Sequence, residues 1–575
     1  MTLEYMDPTL PPLVPTVNPK CSLVVLRQDF AHTLGFPPAS VDYSPPPDCP
    51  APWSRVIMEL SASASDVQMD RIAAIWVDGA EILRTSTPLP MAPGVFWHVR
   101  KDVTRYTALL RSATTFSMML ENSNATLPGV YFVNVSLHFY RGALSDDVGR
   151  NPSLKLPTNA HTNEQLGSGR LSAHPTIKGL YREPADLIIP ISNELGDCGP
   201  GYWFKIHNES DVQLTTVLIP NNTYRAVLEI YVSHHGDDEY WYANPLRTNG
   251  PRGGLMMSPS SKANGGFRQV VVTIDKRFAG AVVPFPVIYP GSINPFFWVP
   301  VAAIGAYDHP SYDLDLTPFV GKLLDGPEHH FGLTVRDSQP YWLMSANLHL
   351  WLDAWSDGVE GALVRYKVPP LKLSRQADWR ERDGKSSIDG QVIIRFSGWV
   401  SSSKGNITTS IKQRLKFKSR VEVHRQGSIK QASMEVKSRT NVRTEKNHKV
   451  IGRVQVDTVA PLMMETMSSN GGGGSVFEKT KMYHELQETT SVAVGKEVAY
   501  STMMDRQESE GSALMEEGVA VWGSGDTKST YKFRDDKACY LRTVVMVGGR
   551  VRDDAETASC VSVSDLELNQ PTSQK

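Results

Sequence analysis

The side chains of this chain best suited to chemistry are carboxylates set beside arginine and aromatic residues. Asp70-Arg71 opens an apolar run, Ile72–Val77, which turns through Asp78-Gly79 into a second run that carries Arg84. Asp-Gly between two β-runs is the strongest short-range hairpin signal, because both central residues of a type I′ turn need positive φ. Asp70 and Arg84 are therefore expected at the open ends of a hairpin, an acid and a base on one rim of a sheet. A second acid stands in His235-Gly236-Asp237-Asp238-Glu239-Tyr240-Trp241-Tyr242, just after the β-run over 226–233. Tyr240 and Trp241 are unusual in a plain polar loop. Aromatic faces cover the apolar side of pyranose rings, so this loop reads as sugar-facing.

Each candidate has a plainer structural alternative. Asp70-Arg71 could merely tie a strand end, and Glu239 could belong to a solvated acidic loop. Arg71 and Arg84 could hold a carbonyl or sugar hydroxyl, or simply neutralise Asp70. In either case an arginine beside Asp70 is expected to lower its pKa and keep it ionised in acid. No nucleophile elbow, Walker loop, dinucleotide glycine turn, zinc-protease helix or paired Cys-x-x-Cys is present, so covalent and nucleotide chemistries are disfavoured. Two His-acid clusters, at 234–239 and 328–330, invite a metal reading. Adjacent histidines on a strand point to opposite faces, so no metal and no other cofactor is expected.

At 575 residues the chain is long enough for several domains, and 41% hydrophobic content is ample for packed cores. A net charge of −2 gives no reason to expect nucleic acid as a partner. No apolar run approaches the ~20 residues of a helical membrane span, so no membrane partner is expected either. The first residues, Met1-Thr2-Leu3-Glu4-Tyr5-Met6, do not read as a secretory signal. Five cysteines leave one over: Cys21 with Cys49 and Cys539 with Cys560 are plausible local disulfides, with Cys198 unpaired. Sequons at Asn124, Asn134, Asn208, Asn221 and Asn406 agree with an oxidising secretory route, ending outside the cell or in a vacuole.

The elements that must position these residues are strands. Residues 1–20 read as a Pro-rich leader, 21–145 as a β-sandwich with frequent turn signals, 146–176 as a linker open to proteolysis, and 177–357 as a second sandwich. Between 365 and 575 the sequence becomes long alternating β-ribbon, with Gly471–Gly474 as a flexible turn. Residues 404–453 hold fourteen Lys/Arg against three Asp/Glu, with Lys412, Arg414, Lys416, Lys418 and Arg420 on one strand face. A solvated face is the plain reading of that stripe, and a docking surface for anionic glycans the sharper one.

The hairpin at 70–87 resembles the peptide N-glycosidase A-type glycoamidases, whose N-terminal domain carries an Asp-Arg strand, a Gly-containing turn and a Glu-Ile/Val-x-Arg-Ser/Thr-x-Thr strand. The resemblance continues through Gly94-Val95-Phe96-Trp97, Lys101-Asp102-Val103-Thr104-Arg105-Tyr106, Tyr224-Arg225-Ala226-Val227-Leu228-Glu229 and Ser311-Tyr312-Asp313-Leu314-Asp315-Leu316-Thr317-Pro318. It implies an all-β fold of two antiparallel jelly-roll-like sandwiches side by side, the active cleft at their interface, followed by a β-rich C-terminal domain. It also implies hydrolysis of the amide bond between asparagine and the innermost N-acetylglucosamine of N-glycosylated peptides or proteins. On the pattern of the bacterial F-type relatives, Asp70 matches the principal catalytic aspartate, Glu239 the second acid, Glu121 a third whose preferred plain reading is an exposed loop acid, and Trp298 a tryptophan on the substrate side whose preferred plain reading is a core aromatic. The arginine those enzymes carry beyond the tryptophan is replaced here by Val301 and Ala302. Two alternatives stay open: a catalytically silent carbohydrate-binding protein, and a glycosidase using paired carboxylates.

Overall fold

The Asp78-Gly79 turn forms as expected, with φ of 52° at Asp78 and 76° at Gly79. It joins the antiparallel strands Ile72–Val77 and Ala80–Ser86. The computed structural model describes residues 3–9, 18–123, 127–141, 183–194, 201–246, 264–516, 519–536 and 538–558. The expected linker at 146–176, Asn124, Cys198 and Cys560 lie outside these residues.

Two sheets form the first sandwich. One has five strands in the order Glu4–Tyr5, Phe96–Asp102, Arg55–Ala64, Tyr131–Tyr140, Cys21–Phe30; the other has four, Ala39–Tyr43, Thr114–Leu120, Ile72–Val77, Ala80–Ser86. Period-two patterning explains the layering. In Tyr131–Tyr140 the side chains of Tyr131, Val133, Val135, Leu137 and Phe139 are buried, while Asn134, Ser136 and His138 alternate on the outer face. Cys21 and Cys49 form a disulfide, and Cys539 is also disulfide-bonded. The N-terminal segment departs from the expectation of a loose leader: Glu4–Tyr5 adds a parallel edge strand, Met6 bridges Val301, and Tyr5 is buried. Asn208, Asn221 and Asn406 are exposed, where a glycan could be carried.

The second sandwich has one sheet ordered Leu187–Ile191, Trp342–Leu352, Thr223–His234, Tyr312–Asp315, with Phe204–Ile206 also on Trp342–Leu352. Its partner sheet is Gln213–Val217, His329–Arg336, Gln269–Ile274, Arg277–Val282. Thr223–His234 and Trp342–Leu352 are covered on both faces because the first sandwich packs against them. The contact is polar at its centre. Glu81 and Arg84 of the first sandwich meet Ser233, Leu343 and Ser345 of the second, and Tyr106 meets Glu229.

The C-terminal part is one sheet of eleven strands, in which Asp383–Ser402, Gly405–His424, Ile429–Lys446, Lys449–Gly472, Ser475–Val494, Glu497–Glu516 and Val519–Asp535 pair in succession. One face packs on the second sandwich, where Phe417 meets Phe267 at 5.0 Å between ring centres and Phe396 meets Phe319 at 4.8 Å. On the other face Lys412, Lys416, Lys418 and Arg420 are exposed and Arg414 is half-buried.

Candidate active site

Asp70 is held by a short segment fixed on both sides. The Tyr131 hydroxyl donates to the Met69 carbonyl at 2.6 Å, the Arg71 amide donates to Thr87 Oγ1 at 2.9 Å, and the Thr87 amide donates back to the Arg71 carbonyl at 2.8 Å. The carboxylate leaves this segment toward the second sandwich and accepts the Gly291 amide at Oδ2, 3.0 Å away. Ser292, the next residue, donates from Oγ to Glu239 Oε1 at 2.7 Å. Two adjacent residues of one turn thus hold the two carboxylates. Gly291 has to be glycine, because a Cβ there would lie 2.5 Å from Asp70 Oδ1.

Glu239 owes its place to a docked loop. His235 and Tyr341 exchange backbone hydrogen bonds at 2.9 and 3.1 Å, Asp237 donates to the Pro340 carbonyl, and Glu239 closes the short 3₁₀ turn Gly236–Asp238. Gly236 sits at φ +57°, where a Cβ would meet the Pro340 carbonyl oxygen at 2.9 Å. Beneath the loop, Asp238 and Arg268 form a fully buried ion pair joined by Trp342 Nε1 at 2.6 Å. The half-buried Tyr240 phenol stands near Glu239, and burial first and the charge of Glu239 next push its pKa up.

The electrostatics depart from expectation at Asp70. Burial pushes its carboxyl up to about 6, and the negative charge of Glu239 adds to the rise; the Gly291 amide and Arg71 oppose it without prevailing. The forecast of a depressed pKa fails because burial of the Asp70 carboxyl outweighs Arg71, and Arg84 is not at this rim. Arg84 pairs across from Ala74, well inside the hairpin, and is fully buried. Its guanidinium makes a fork with Glu81 at 2.7 and 2.8 Å and donates to Ser233 Oγ and the Leu343 carbonyl. Arg84 therefore joins the two sandwiches. Arg71 stays near Asp70, with Nη2 on Gln68 Oε1 at 3.3 Å and Nε buried without a hydrogen-bond partner.

Two further expectations change. Trp241 is fully buried among His234, Tyr242 and Trp342, so it supports the loop rather than facing a sugar. Trp298 is 1% exposed and lies behind the turn, its Nε1 directed at the Ser292 carbonyl at 3.5 Å. Glu121 is half-buried and accepts the Gly35 amide at 3.3 Å. Its charge and that of Glu239 both reach the phenol of Tyr341, whose pKa is raised by burial first and by these two acids next.

Sequence reasoning overlooked the wall that joins these groups. His235 stacks between Tyr289 and Tyr341, with ring centres 5.6 and 5.3 Å away and planes within 17°. Its Nε2 meets Ser233 Oγ at 2.9 Å. The neighbouring His234 turns the other way, with Nε2 against the Val287 carbonyl, so the two rings do not converge. Among the described residues no group of three or more His, Cys, Asp or Glu side chains is placed to hold a metal ion. The signal for the turn was the Pro290-Gly291-Ser292 triplet, which marks a loop but not its partners. What the arrangement offers is a carboxyl of raised pKa, a second acid, an arginine and a row of flat rings.

A family model described as peptide N-acetyl-β-D-glucosaminyl asparaginase amidase A matches residues 9–369. A curated protein of Prunus dulcis, peptide-N4-(N-acetyl-β-glucosaminyl)asparagine amidase A, is 34% identical over 568 residues, covering 98% of this chain and 94% of that protein. Among solved structures, PNGase F, a glycosylasparaginase from Flavobacterium meningosepticum, aligns with a TM-score of 0.33 and 13% identity, over 58% of this chain and 96% of that one. PNGF-II aligns with a TM-score of 0.34 and 10% identity, over 58% of this chain and 66% of that one.

Proposed function

This chain belongs to the peptide N-acetyl-β-D-glucosaminyl asparaginase amidase A family, and we propose that its reaction takes place where Asp70 and Glu239 meet the Gly291-Ser292 turn. The protein is a hydrolase of carbon–nitrogen amide bonds, and N-glycans on peptides or proteins are its substrate. Water adds to the asparagine side-chain carbonyl carbon and the C–N bond breaks. The peptide keeps the new carboxyl as aspartate, and the nitrogen leaves on the sugar as a glycosylamine that later loses ammonia.

The reading that Asp70 activates the water rests on one observation, its carboxyl raised to about 6 beside a second acid. A base of that pKa is ionised near neutrality and yet strong enough to take a proton from water as attack proceeds. Glu239, carried on the Ser292 hydroxyl, is assigned to hydrogen-bond the sugar core and assist transfer of a proton toward the leaving nitrogen. Arg71 orients the carbonyl and offsets charge, the half-buried Tyr240 ring offers an apolar face to a pyranose, and the stack of Tyr289, His235 and Tyr341, whose faces cover one another, stiffens the wall beside it. Glu121, reaching the site through Tyr341, is assigned to a sugar hydroxyl at the rim. The disulfide Cys21–Cys49 fits a secretory or vacuolar destination.

Product analysis tests the reading on a defined N-glycopeptide. Released intact glycan with asparagine converted to aspartate supports it. Glycan trimmed to leave the asparagine-linked sugar behind would instead assign the cleft to a glycosidase.

A further inference from the structure

Gly291 and Ser292 are held from behind by a distant part of the chain. The segment that follows them, the 3₁₀ turn Pro295–Trp298, lies flat on the C-terminal sheet at a patch almost without side chains. On the two neighbouring strands Glu497–Glu516 and Val519–Asp535, Gly511 pairs with Gly525 and Ala513 with Gly523. A Cβ at Gly523 would come within 2.6 Å of the Phe296 ring, one at Gly525 within 2.6 Å of the Phe296 carbonyl, and one at Gly511 within 2.8 Å of the Phe297 ring. Glycine weakens a strand interior, and several at one place mark a close approach of another backbone. Here that backbone is the extension of the turn that carries Asp70 and Glu239.

Hydrogen bonds fasten the same contact. Asn294 is bifunctional: its Oδ1 accepts the Phe296 amide at 3.1 Å and so caps the 3₁₀ turn, while its Nδ2 donates to the Ser524 carbonyl at 3.2 Å. Thr527 Oγ1 donates to the Phe297 carbonyl at 2.9 Å, and Gln507 Nε2 donates to the Ala302 carbonyl at 2.7 Å. Trp298 then points back to the Ser292 carbonyl.

We propose that the C-terminal sheet is the seat of the catalytic turn, and that Gly511, Gly523, Gly525, Asn294 and Thr527 are positioning residues for Asp70 and Glu239. This rests on the assignment of Asp70 and Glu239 to the reaction. The seat sets where the Gly291 amide and the Ser292 hydroxyl stand, and through them the direction of both acids and the proton affinity of Asp70. A shift of the turn by a few tenths of an ångström stretches the Gly291-to-Asp70 bond. That bond favours the ionised carboxyl, so its loss raises the Asp70 pKa further and carries the acid limb of the rate profile upward.

The test compares kcat, KM and the pH profile on a glycopeptide for Gly525→Ala, Asn294→Asp and Thr527→Val. Asn294→Asp keeps the cap but cannot donate to Ser524, and Thr527→Val is nearly isosteric, so these two carry the test if Gly525→Ala fails to fold. Val492→Ala is the control. It opens a cavity on the same sheet, about 40 Å along its strand from Thr480, which pairs with Gly511, at ~3.4 Å per residue. The seat variants are expected to lose about tenfold or more in kcat, with KM little changed and the acid limb moved to higher pH. Val492→Ala is expected to lower Tm alone. Wild-type kcat and an unmoved acid limb in folded seat variants overturn the proposal, as does a loss that Val492→Ala reproduces. Full activity of Asp70→Asn would instead overturn the catalytic assignment on which the proposal stands.

Discussion

Gly291 donates its backbone amide to Asp70 across the boundary between the two sandwiches, at 3.0 Å, and lacks a side chain because a Cβ would strike the same carboxylate at 2.5 Å. Gly291→Ala is therefore expected to push Asp70 away while leaving both sandwich cores intact. The expected outcome is a fall in kcat of about 10²-fold, the scale of a 1 Å misplacement. Steady-state kinetics beside an unchanged circular dichroism spectrum checks it, and wild-type turnover would refute the role given to this amide.

Removing the ionisable group itself gives the larger effect. Asp70→Asn is isosteric and should lower kcat by about 10²–10⁴-fold, the usual contribution of a positioned acid or base. Glu239→Gln should cost less but clearly reduce turnover, since Ser292 can still hold the amide. Each is measured by release of glycan from a glycopeptide at matched folding.

The pH dependence follows from the raised Asp70 carboxyl. With its pKa at about 6, a reaction needing the carboxylate loses roughly tenfold per pH unit below that value. kcat/KM is expected to rise through pH 6 and level off above it. The linkage to stability has the opposite sense: the folded state holds this proton more tightly than the unfolded chain, so its stabilising contribution is present below the ordinary aspartate value of 3.8 and fades as pH rises through about 6. A rate that stays flat well into acid would show that ionised Asp70 is not required.

Arg84 separates structure from catalysis. Truncation to Met strands the Glu81 carboxylate, which Trp203 also contacts at 3.1 Å, in a fully buried position. Losing one partner of a buried pair costs about 3–5 kcal/mol. Arg84→Met is expected to unfold at lower denaturant while any folded fraction keeps a normal KM. A raised KM at unchanged stability would return Arg84 to the substrate.

Local chemistry was legible and long-range partnership was not. Asp78-Gly79 announced its hairpin because turn geometry is a property of two residues. Arg84 could not be placed, because its partners Ser233 and Leu343 come from the other sandwich. Trp241 misled for a related reason: an aromatic side chain beside an acid suits a sugar platform or a core equally, and only the packing of His234 and Trp342 around it decides. The pKa of Asp70 turned on burial, which the sequence neighbours Asp70-Arg71 do not reveal and which outweighs the arginine. Glu239 was a candidate by its loop composition, yet the turn that holds it lay among prolines that marked only bends.

The placement of the turn against Gly523 and Gly525 also bears on the timing of biosynthesis. Contacts between residues far apart in a chain form late, because loop-closure entropy must be overcome first. The first sandwich, which carries Asp70, leaves the ribosome long before the strand Val519–Asp535 on which Pro295–Trp298 rests. A nascent chain can fold both sandwiches while its catalytic turn still has nothing to lie on. On the proposed seat, competence then arrives only with the last strands.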